Sequence, residues 1–428
     1  MITFVLIGAG SRGMIYSRLA HKSGRAQVVA LAEPDEGRRS AAGAELDLPA
    51  EQCFRSADEL FARGKIADAC IVASMDRSHY AQAMRALELG YDLLLEKPIS
   101  PDPMECLAIR EKAREAHRKV VVCHVLRYTP FFRALKELTE SGRFGRLIDI
   151  QHNENIGNFH MAHSFVRGNW RNSAESSPII LQKTCHDMDI LTWLTGSECK
   201  RLSSFGSLRY FRPENAPAGS AKRCLECPAA ADCRFDARKC YLPVLGDWPA
   251  DVVCLEQTES ALMEALRTGP YGRCVYQCDN DVCDHQVAVM EFADGVTATF
   301  NMSAFTNRVC RTVKLMFEDG EVRGNDRENV IEMIPFASNA NAAVHAEVLH
   351  PQLIGSGHGG GDFGIMEDFL SQLEDSSAEP VSSIERSVES HFMSFAAEQS
   401  RLTGEVIDMD AYRAGLLAQY QHKTKENG

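Results

Sequence analysis

Three groups of residues in this 428-residue sequence have types and spacings that chemistry can use. The first is Lys97, set between Glu96 and Pro98 behind the apolar run Leu93-Leu94-Leu95. A lysine beside a proline at a strand end is pinned, and X-Pro bonds at such sites can be cis. A pinned ammonium can hydrogen-bond a substrate hydroxyl and help to take its proton. Taken alone, the tripeptide also suits a surface lysine ahead of a turn. The second group is Gln182, Lys183 and His186. They lie in a run, 180–194, whose apolar positions recur at helical spacing through Met188, Leu191 and Leu194 and which stops at Gly196. Positions four apart share a helix face, so Gln182 and His186 are expected side by side with Lys183 adjacent. Histidine titrates near neutrality and suits acid–base work on a carbinol proton, although a structural histidine inside a helix fits the same pattern.

The third group is Cys224-x2-Cys227-x5-Cys233-x6-Cys240, bounded by Pro213, Pro217 and Pro243. Four thiols within seventeen residues suit a structural tetrahedral Zn²⁺ that staples a loop too small to have a core. An iron–sulfur cluster also fits cysteine ligation, though the spacing matches no common ferredoxin pattern. Free thiols are the remaining alternative. Four cysteine ligands leave no open coordination position, so a catalytic metal is not expected here. Most other cysteines stand alone in apolar stretches, as Cys70 and Cys123 do, and read as small buried hydrophobes.

Residues such as Lys97 need elements that position them. The apolar run 4–7 leads into Gly8-Ala9-Gly10-Ser11-Arg12-Gly13, then a helical segment, 14–21, and a second strand, 27–32, ending at Glu33. Gly8 permits the tight turn, Gly10 lets the backbone approach a pyrophosphate, and Gly13 lets helix and strand pack closely. The helix N-terminus offers free N–H groups to phosphate. Glu33, twenty residues past Gly13, stands where an acid accepts from ribose hydroxyls. A carboxylate there repels a 2′-phosphate and favours NAD. Arg12, Arg38 and Arg39 lie close by and keep NADP as the alternative.

The alternation continues through strands at 67–74, 91–95 and 119–124 and helices at 78–89 and 103–118, so an α/β doubly wound parallel sheet is expected. Ligands bind at the carboxyl ends of such strands. That rule points to Ser74, Asp76 and His79, to Glu96 and Lys97, and to the segment 124–128. From about Gly145 the pattern changes to strands at 147–155, 287–292, 297–303 and 313–317, with hairpin signals at Asp294-Gly295 and Asp319-Gly320. A largely antiparallel open sheet is expected, one face covered by helices and the other packed on a second subunit, giving a homodimer or homotetramer.

Composition sets outer limits. The net charge of −13 argues against nucleic acid as the main partner. No apolar run approaches the roughly 18 residues that span a bilayer, and the start of the chain already reads as a strand, so a cytoplasmic protein is expected.

Several motifs together, in order, resemble one family. They are the G-x-G-x-x-G, Ser74 to His79, Ala86-Leu87-Glu88-Leu89-Gly90, Glu96-Lys97-Pro98, Arg127-Tyr128-Thr129-Pro130, Gly145-Arg146-Leu147, His186-Asp187-Met188-Asp189 and Gly357-His358-Gly359-Gly360-Gly361-Asp362. The chain is similar to the glucose–fructose oxidoreductase and inositol dehydrogenase (Gfo/Idh/MocA) family. The resemblance implies an NAD(P)-dependent oxidoreductase acting on a sugar, cyclitol or related polyol, with Lys97 and His186 handling the proton. Many members carry Asp four residues before this histidine, where this chain has Gln182; Gln cannot ionise, so Lys183 is expected to orient a substrate oxygen instead. Arg127, Tyr128, Trp170, Arg171, His358 and Asp362 are further pocket candidates, since sugar sites combine an aromatic face with bidentate polar groups. His285 reads equally as a pocket histidine or a strand-edge residue. The expected organisation is a cofactor domain, 1–125, and an α+β substrate domain, 126–428, with a Cys-rich insert at about 212–245. Two rival functions remain open: a redox-neutral glycoside hydrolase or lyase that uses NAD as a transient oxidant, and a non-catalytic NAD-dependent regulator.

Overall fold

The computed structural model describes residues 1–355, 357–375, 377 and 380–426. Six strands form the first sheet: β1 (Ile2–Ile7), β2 (Ala26–Ala32), β3 (Cys53–Phe54), β4 (Ala69–Val72), β5 (Asp92–Leu95) and β6 (Val120–Val122). All pair in parallel, in the order β3-β2-β1-β4-β5-β6. Phe4, Val5 and Leu6 are fully buried because helices cover both faces, which is why these strands read as unbroken apolar runs. The strand order reverses between β1 and β4, and the crevice at their carboxyl ends is where such sheets take ligands.

The second sheet comprises β7 (Leu147–Asn155), β8 (Cys199–Ser207), β9 (His285–Phe292), β10 (Thr297–Ser303), β11 (Cys310–Phe317), β12 (Gly320–Asn325), β13 (Val330–Pro335), β14 (Glu347–Leu349) and β15 (Ile407–Asp408). Its order is β14-β13-β12-β11-β7-β10-β9-β8-β15, antiparallel except for the β7–β10 pair. Along β9, β10 and β11 buried residues alternate with more exposed ones, as one covered face requires. The helix Ile384–Thr403 covers the inner face, and Ser400 Oγ accepts from Ser204 N on β8. The outer face leaves Phe205, Val287 and Val289 exposed.

Three features depart from the sequence expectations. The run 180–194 is two helices, Ile179–Gln182 and Cys185–Thr195, broken at Lys183 and Thr184. The insert fills the whole interval between β8 and β9 and has a small core of its own, in which Tyr241, Leu262, Leu266 and Tyr271 pack with Cys224 and Cys240. The late chain also returns to the first sheet. Phe369, on the helix Gly361–Glu374, stacks on Phe4 with ring centroids 5.8 Å apart, and Tyr128 Oη donates to Asp368 at 2.6 Å. No helix among the described residues is long and apolar enough to cross a membrane.

Candidate active site at the junction of the two sheets

The glycine turn after β1 has the geometry of a phosphate cradle. Gly8 has φ +91°, and a Cβ there would lie 2.7 Å from the Ala73 carbonyl oxygen. A Cβ on Gly13 would lie 2.0 Å from the Gly8 carbonyl oxygen, so only glycine lets the helix Ser11–Lys22 seat against the strand end. Gly10 caps that helix and has open space on its Cβ side. No side chain caps the helix and no acid sits in its first turn, so the N–H groups near Ser11 face the crevice. These residues fit a dinucleotide pyrophosphate.

Glu33, at the end of β2, is buried and accepts from Ala9 N at 2.9 Å and Asp35 N at 3.1 Å. It braces the glycine turn, and its remaining lone pairs can still take a ribose hydroxyl. Arg12 is committed elsewhere: it pairs with Glu96 at 2.8 Å and with Asp362 at 2.6 Å. Asp362 also meets His358 Nδ1 at 3.1 Å. The glycine-rich segment therefore docks on the cofactor turn, and a Cβ on Gly361 would lie 2.3 Å from the Val125 carbonyl oxygen. Burial alone would raise the Glu96 carboxyl, but Arg12 and Lys97 more than offset it and hold it below the ordinary range.

Lys97 is reached through a cis bond to Pro98. Its Nζ donates to the Gln182 carbonyl oxygen at 2.7 Å, across the two halves of the chain. That carbonyl is free to accept because the helix ends at Gln182, so the break at Lys183 and Thr184 makes the contact. His186 opens the next helix and is buried, and its Nδ1 has no hydrogen-bond partner among the described residues. Burial first, then Lys97 and the neighbouring His124, push His186 well below an ordinary histidine. The ring is therefore neutral near pH 7 and can accept a proton. The buried amide oxygen of Gln182 likewise has no donor.

Behind these groups runs a chain of ion pairs. Lys183 Nζ lies 3.6 Å from Glu154, Glu154 lies 2.6 Å from Arg311, and Arg311 lies 2.7 Å from Asp187, which also meets His152 Nε2 at 2.8 Å. Burial lowers the Lys183 ammonium, with Glu154 opposing. Burial would raise Asp187, but Arg311 and His152 hold it well below the usual carboxylate range. Glu154, Arg311 and His152 were not singled out from the sequence. The signal was present: all three stand at buried positions of alternating strands, β7 and β11. His160 was also missed. It precedes a π-helical turn, Met161–Arg167, a form that often marks functional sites, and its buried Nδ1 has no hydrogen-bond partner among the described residues.

Other candidates serve as braces. Asp76 accepts from Ser176 Oγ at 2.7 Å and Ser177 Oγ at 2.9 Å. The ring nitrogens of His79 face the carbonyls of Pro98 and Ser74, at 2.7 and 3.1 Å, and Ser74 Oγ donates to Gln82 at 2.6 Å. Arg127 pairs with Asp189 through two short bonds, 2.6 and 2.8 Å, in the interior. Tyr128 is spent on Asp368, and Arg171 pairs with Asp279 at 2.8 Å. Trp170 is half-buried and 6.3 Å from the Phe165 ring. His285 Nδ1 meets Asp284 at 2.8 Å at the start of β9.

The zinc expectation is corrected. Among the described residues no three His, Cys, Asp or Glu side chains stand where they could hold a metal ion. Cys224, Cys227 and Cys233 line one cavity, but Cys240 sits outside it on the helix Ala237–Tyr241, because that helix directs its thiol toward the Arg234 carbonyl at 3.9 Å.

Two family models match: the NAD-binding Rossmann domain of the Gfo/Idh/MocA oxidoreductases over residues 2–124, and the C-terminal domain of the same family over residues 132–242. Putative oxidoreductase YteT of Bacillus subtilis is 25% identical over 314 residues, 71% of this chain and 72% of its own length. Inositol 2-dehydrogenase of Corynebacterium glutamicum is 29% identical over 197 residues, 45% of this chain and 53% of its own length, so the match spans only about half of that relative. Among solved structures, an Agrobacterium radiobacter oxidoreductase in complex with NAD+, L-tartaric acid and magnesium superposes with a TM-score of 0.69 at 15% identity, over 96% of this chain and 99% of that one. An oxidoreductase domain protein from Kribbella flavida gives 0.70 at 15%, over 95% and 99%. With the nucleotide cradle and both sheets in place, the chain belongs to the Gfo/Idh/MocA oxidoreductase family, with an NAD-binding Rossmann fold at its N-terminus.

Proposed function

We propose that this protein transfers a hydride between NAD and a hydroxyl-bearing carbon of a sugar, cyclitol or sugar derivative. The observation that carries the reading is the meeting of Lys97, at the carboxyl end of β5, with the Gln182 carbonyl close to the buried His186. The bound nicotinamide supplies the hydride chemistry. The chain's own residues handle the proton. Lys97 donates a hydrogen bond to the reacting oxygen and stabilises it as the O–H bond breaks. His186 accepts the proton, and Lys183, held by Glu154, orients a neighbouring hydroxyl. The amide oxygen of Gln182 and Nδ1 of His160 are further buried partners for substrate hydroxyls. The relatives named as inositol 2-dehydrogenases support a polyol.

The deciding experiment is a screen of sugars, cyclitols and glycosides with NAD, read as NADH absorbance and by product analysis. NADH formed with a ketone or lactone product supports the proposal. Glycoside cleavage without net NADH would replace it with redox-neutral chemistry.

Because His186 must be neutral to accept a proton and burial lowers its pKa, the acid limb of kcat/KM is expected below about pH 6.5, the ordinary histidine value. An acid limb above that value would remove His186 as the base. The choice of NAD over NADP is assigned to Glu33, with Arg12 unable to serve a 2′-phosphate while paired to Glu96 and Asp362. Glu33→Gln is expected to lower the preference for NAD over NADP about tenfold or more, as loss of a hydrogen bond to a charged group implies. Titration of both cofactors measures it, and an unchanged ratio would show that Glu33 only braces the turn. The exposed apolar residues of the outer sheet face, Phe205, Val287 and Val289, support a homo-oligomer through that face.

A further inference from the structure

The insert between β8 and β9 meets the rest of the chain at two places beside the crevice. The first is the opening turn of the helix Glu36–Glu45, just after Glu33. A Cβ on Gly37 would lie 3.1 Å from Leu255 Cδ1, so the leucine packs directly on that turn. Burial raises the Tyr271 hydroxyl and the Arg38 charge opposes it, which puts Tyr271 near the same helix. The second is the π-helical turn Met161–Arg167. Tyr271 stacks on His163 with ring centroids 4.7 Å apart, and His163 Nδ1 lies 3.1 Å from Tyr241 Oη. Arg167 donates to the carbonyls of Phe235 at 2.6 Å and Arg273 at 2.7 Å, and Arg273 donates back to the Arg167 carbonyl at 3.1 Å. The insert thus grips the turn that follows His160.

His160 is where the insert reaches the reacting groups. Burial first, then the charges of Lys183, His163, Lys97 and His358, push its ring well below an ordinary histidine, which places it among those residues. Its buried Nδ1 has no hydrogen-bond partner among the described residues. Trp248 of the insert stands against it, with ring centroids 5.1 Å apart and planes at 85°. The same indole meets His163 at 5.5 Å and Phe159 at 6.2 Å. Three rings therefore fix the indole in place, yet 44% of Trp248 stays exposed. A fixed aromatic loses little freedom when a ligand settles on it. An open aromatic surface next to a buried polar atom without a partner is the combination that suits a sugar, whose C–H groups take the ring and whose hydroxyls take the polar atom.

We propose that Trp248 and His160 form a subsite for a second ring, and that the substrate is a glycoside carrying that ring, sugar or aryl, beside the one that reacts. This rests on the proposed reaction, since it takes the reacting hydroxyl to lie at Lys97. Trp248 is exposed where His160 Nδ1 is buried, so the indole lies further out than the imidazole. A single sugar ring with a hydroxyl at Lys97 reaches His160 and leaves the indole uncovered. A second ring covers the indole, while a hydroxyl near the glycosidic bond pairs with His160 Nδ1. The insert then acts as a specificity element, because it supplies the indole and holds the turn behind His160.

The test measures binding apart from turnover. The full chain loaded with NADH, which cannot oxidise an alcohol, is titrated by calorimetry with glucose, galactose and mannose, with their phenyl glycosides, and with cellobiose and lactose. The best two-ring compound is expected to bind about tenfold more tightly than its parent sugar, the scale of stacking on a fixed aromatic. Trp248→Ala should erase most of that ratio, and Trp248→Phe should keep part of it. A general loss of structure would weaken both classes alike and leave the ratio unmoved. NAD titration of each variant checks that the first sheet remains folded. Should Trp248→Ala fail to fold, the ratios of the native chain and of Trp248→Phe decide the matter. No binding of any two-ring compound, equal affinity for both classes in the native chain, or an unchanged ratio in Trp248→Ala would overturn the subsite. A ratio that depends on Trp248, with no NADH formed from any of these compounds by the NAD-loaded chain, would uphold the subsite and count against the proposed hydride transfer alone.

Discussion

Lys97→Met is expected to lower kcat/KM about a thousandfold, the scale of a positioned proton-transfer group, while NAD affinity stays within a few-fold. Methionine keeps the apolar stem and removes only the ammonium. The backbone N–H of residue 97 still donates to Glu96, at 2.9 Å in the native chain, so the turn that carries it persists. What is lost is the donor now resting on the Gln182 carbonyl at 2.7 Å. In the proposed reaction that donor serves the reacting oxygen, where its charge matters most as negative charge develops. The measurement is steady-state kinetics on the substrate found by the screen, alongside NAD titration. The loss should fall on kcat more than on KM, since the interaction strengthens in the transition state. Turnover within threefold of the native chain would place Lys97 outside the reacting atoms.

The second large effect concerns stability. Arg311→Leu is expected to cost about 3–5 kcal/mol, because it leaves a buried charge without its partner. Arg311 is 7% exposed and lies between two fully buried carboxylates, Glu154 at 2.6 Å and Asp187 at 2.7 Å. Leucine fills part of the volume but answers neither charge. Denaturant melts at neutral pH measure the loss. Adding Asp187→Asn to the leucine variant should recover part of it, since one stranded charge is removed. The pH dependence gives a separate check. The native Asp187 carboxyl is depressed by Arg311 and His152, so its stabilisation is present above the unfolded value of about 3.9 and is lost as pH falls toward the folded value in strong acid. The gap between native chain and variant should therefore narrow on acidification below about pH 4. By contrast, breaking the surface pair Arg146–Glu318 should leave the melt unchanged, because solvent screens exposed charges. A neutral Arg311→Leu would mean that the two carboxylates find other donors or are protonated.

Much of the fold was legible in order along the chain. The glycine turn, Glu33 and the alternation of apolar runs with helices led to the parallel sheet, because each of those signals is local. Period-2 patterning and the Asp-Gly turns likewise led to the open sheet. The site was legible only in part. Lys97 and His186 do lie near each other in the structure, as their types and positions suggested, but the single helix drawn through Gln182 and His186 is two helices. No residue in that run breaks a helix by itself. The break coincides with tertiary contacts, Lys97 taking the Gln182 carbonyl and Glu154 taking Lys183.

The sequence by itself determined the nucleotide cradle, since Gly8 and Gly13 are forced by clashes with neighbours only a few residues away or on the adjacent strand. It also determined which side chains are of a type that could move a proton. Only the tertiary structure decided how those groups are charged and held. Arg12 is spent on Glu96 and Asp362, 84 and 350 residues away, and Arg311 serves Glu154 and Asp187 from a different strand. Local sequence governs short-range sterics. Desolvation and Coulomb forces act through space, so the protonation state of His186 and the pairing of Lys183 follow from burial and from neighbours that the order of residues does not reveal.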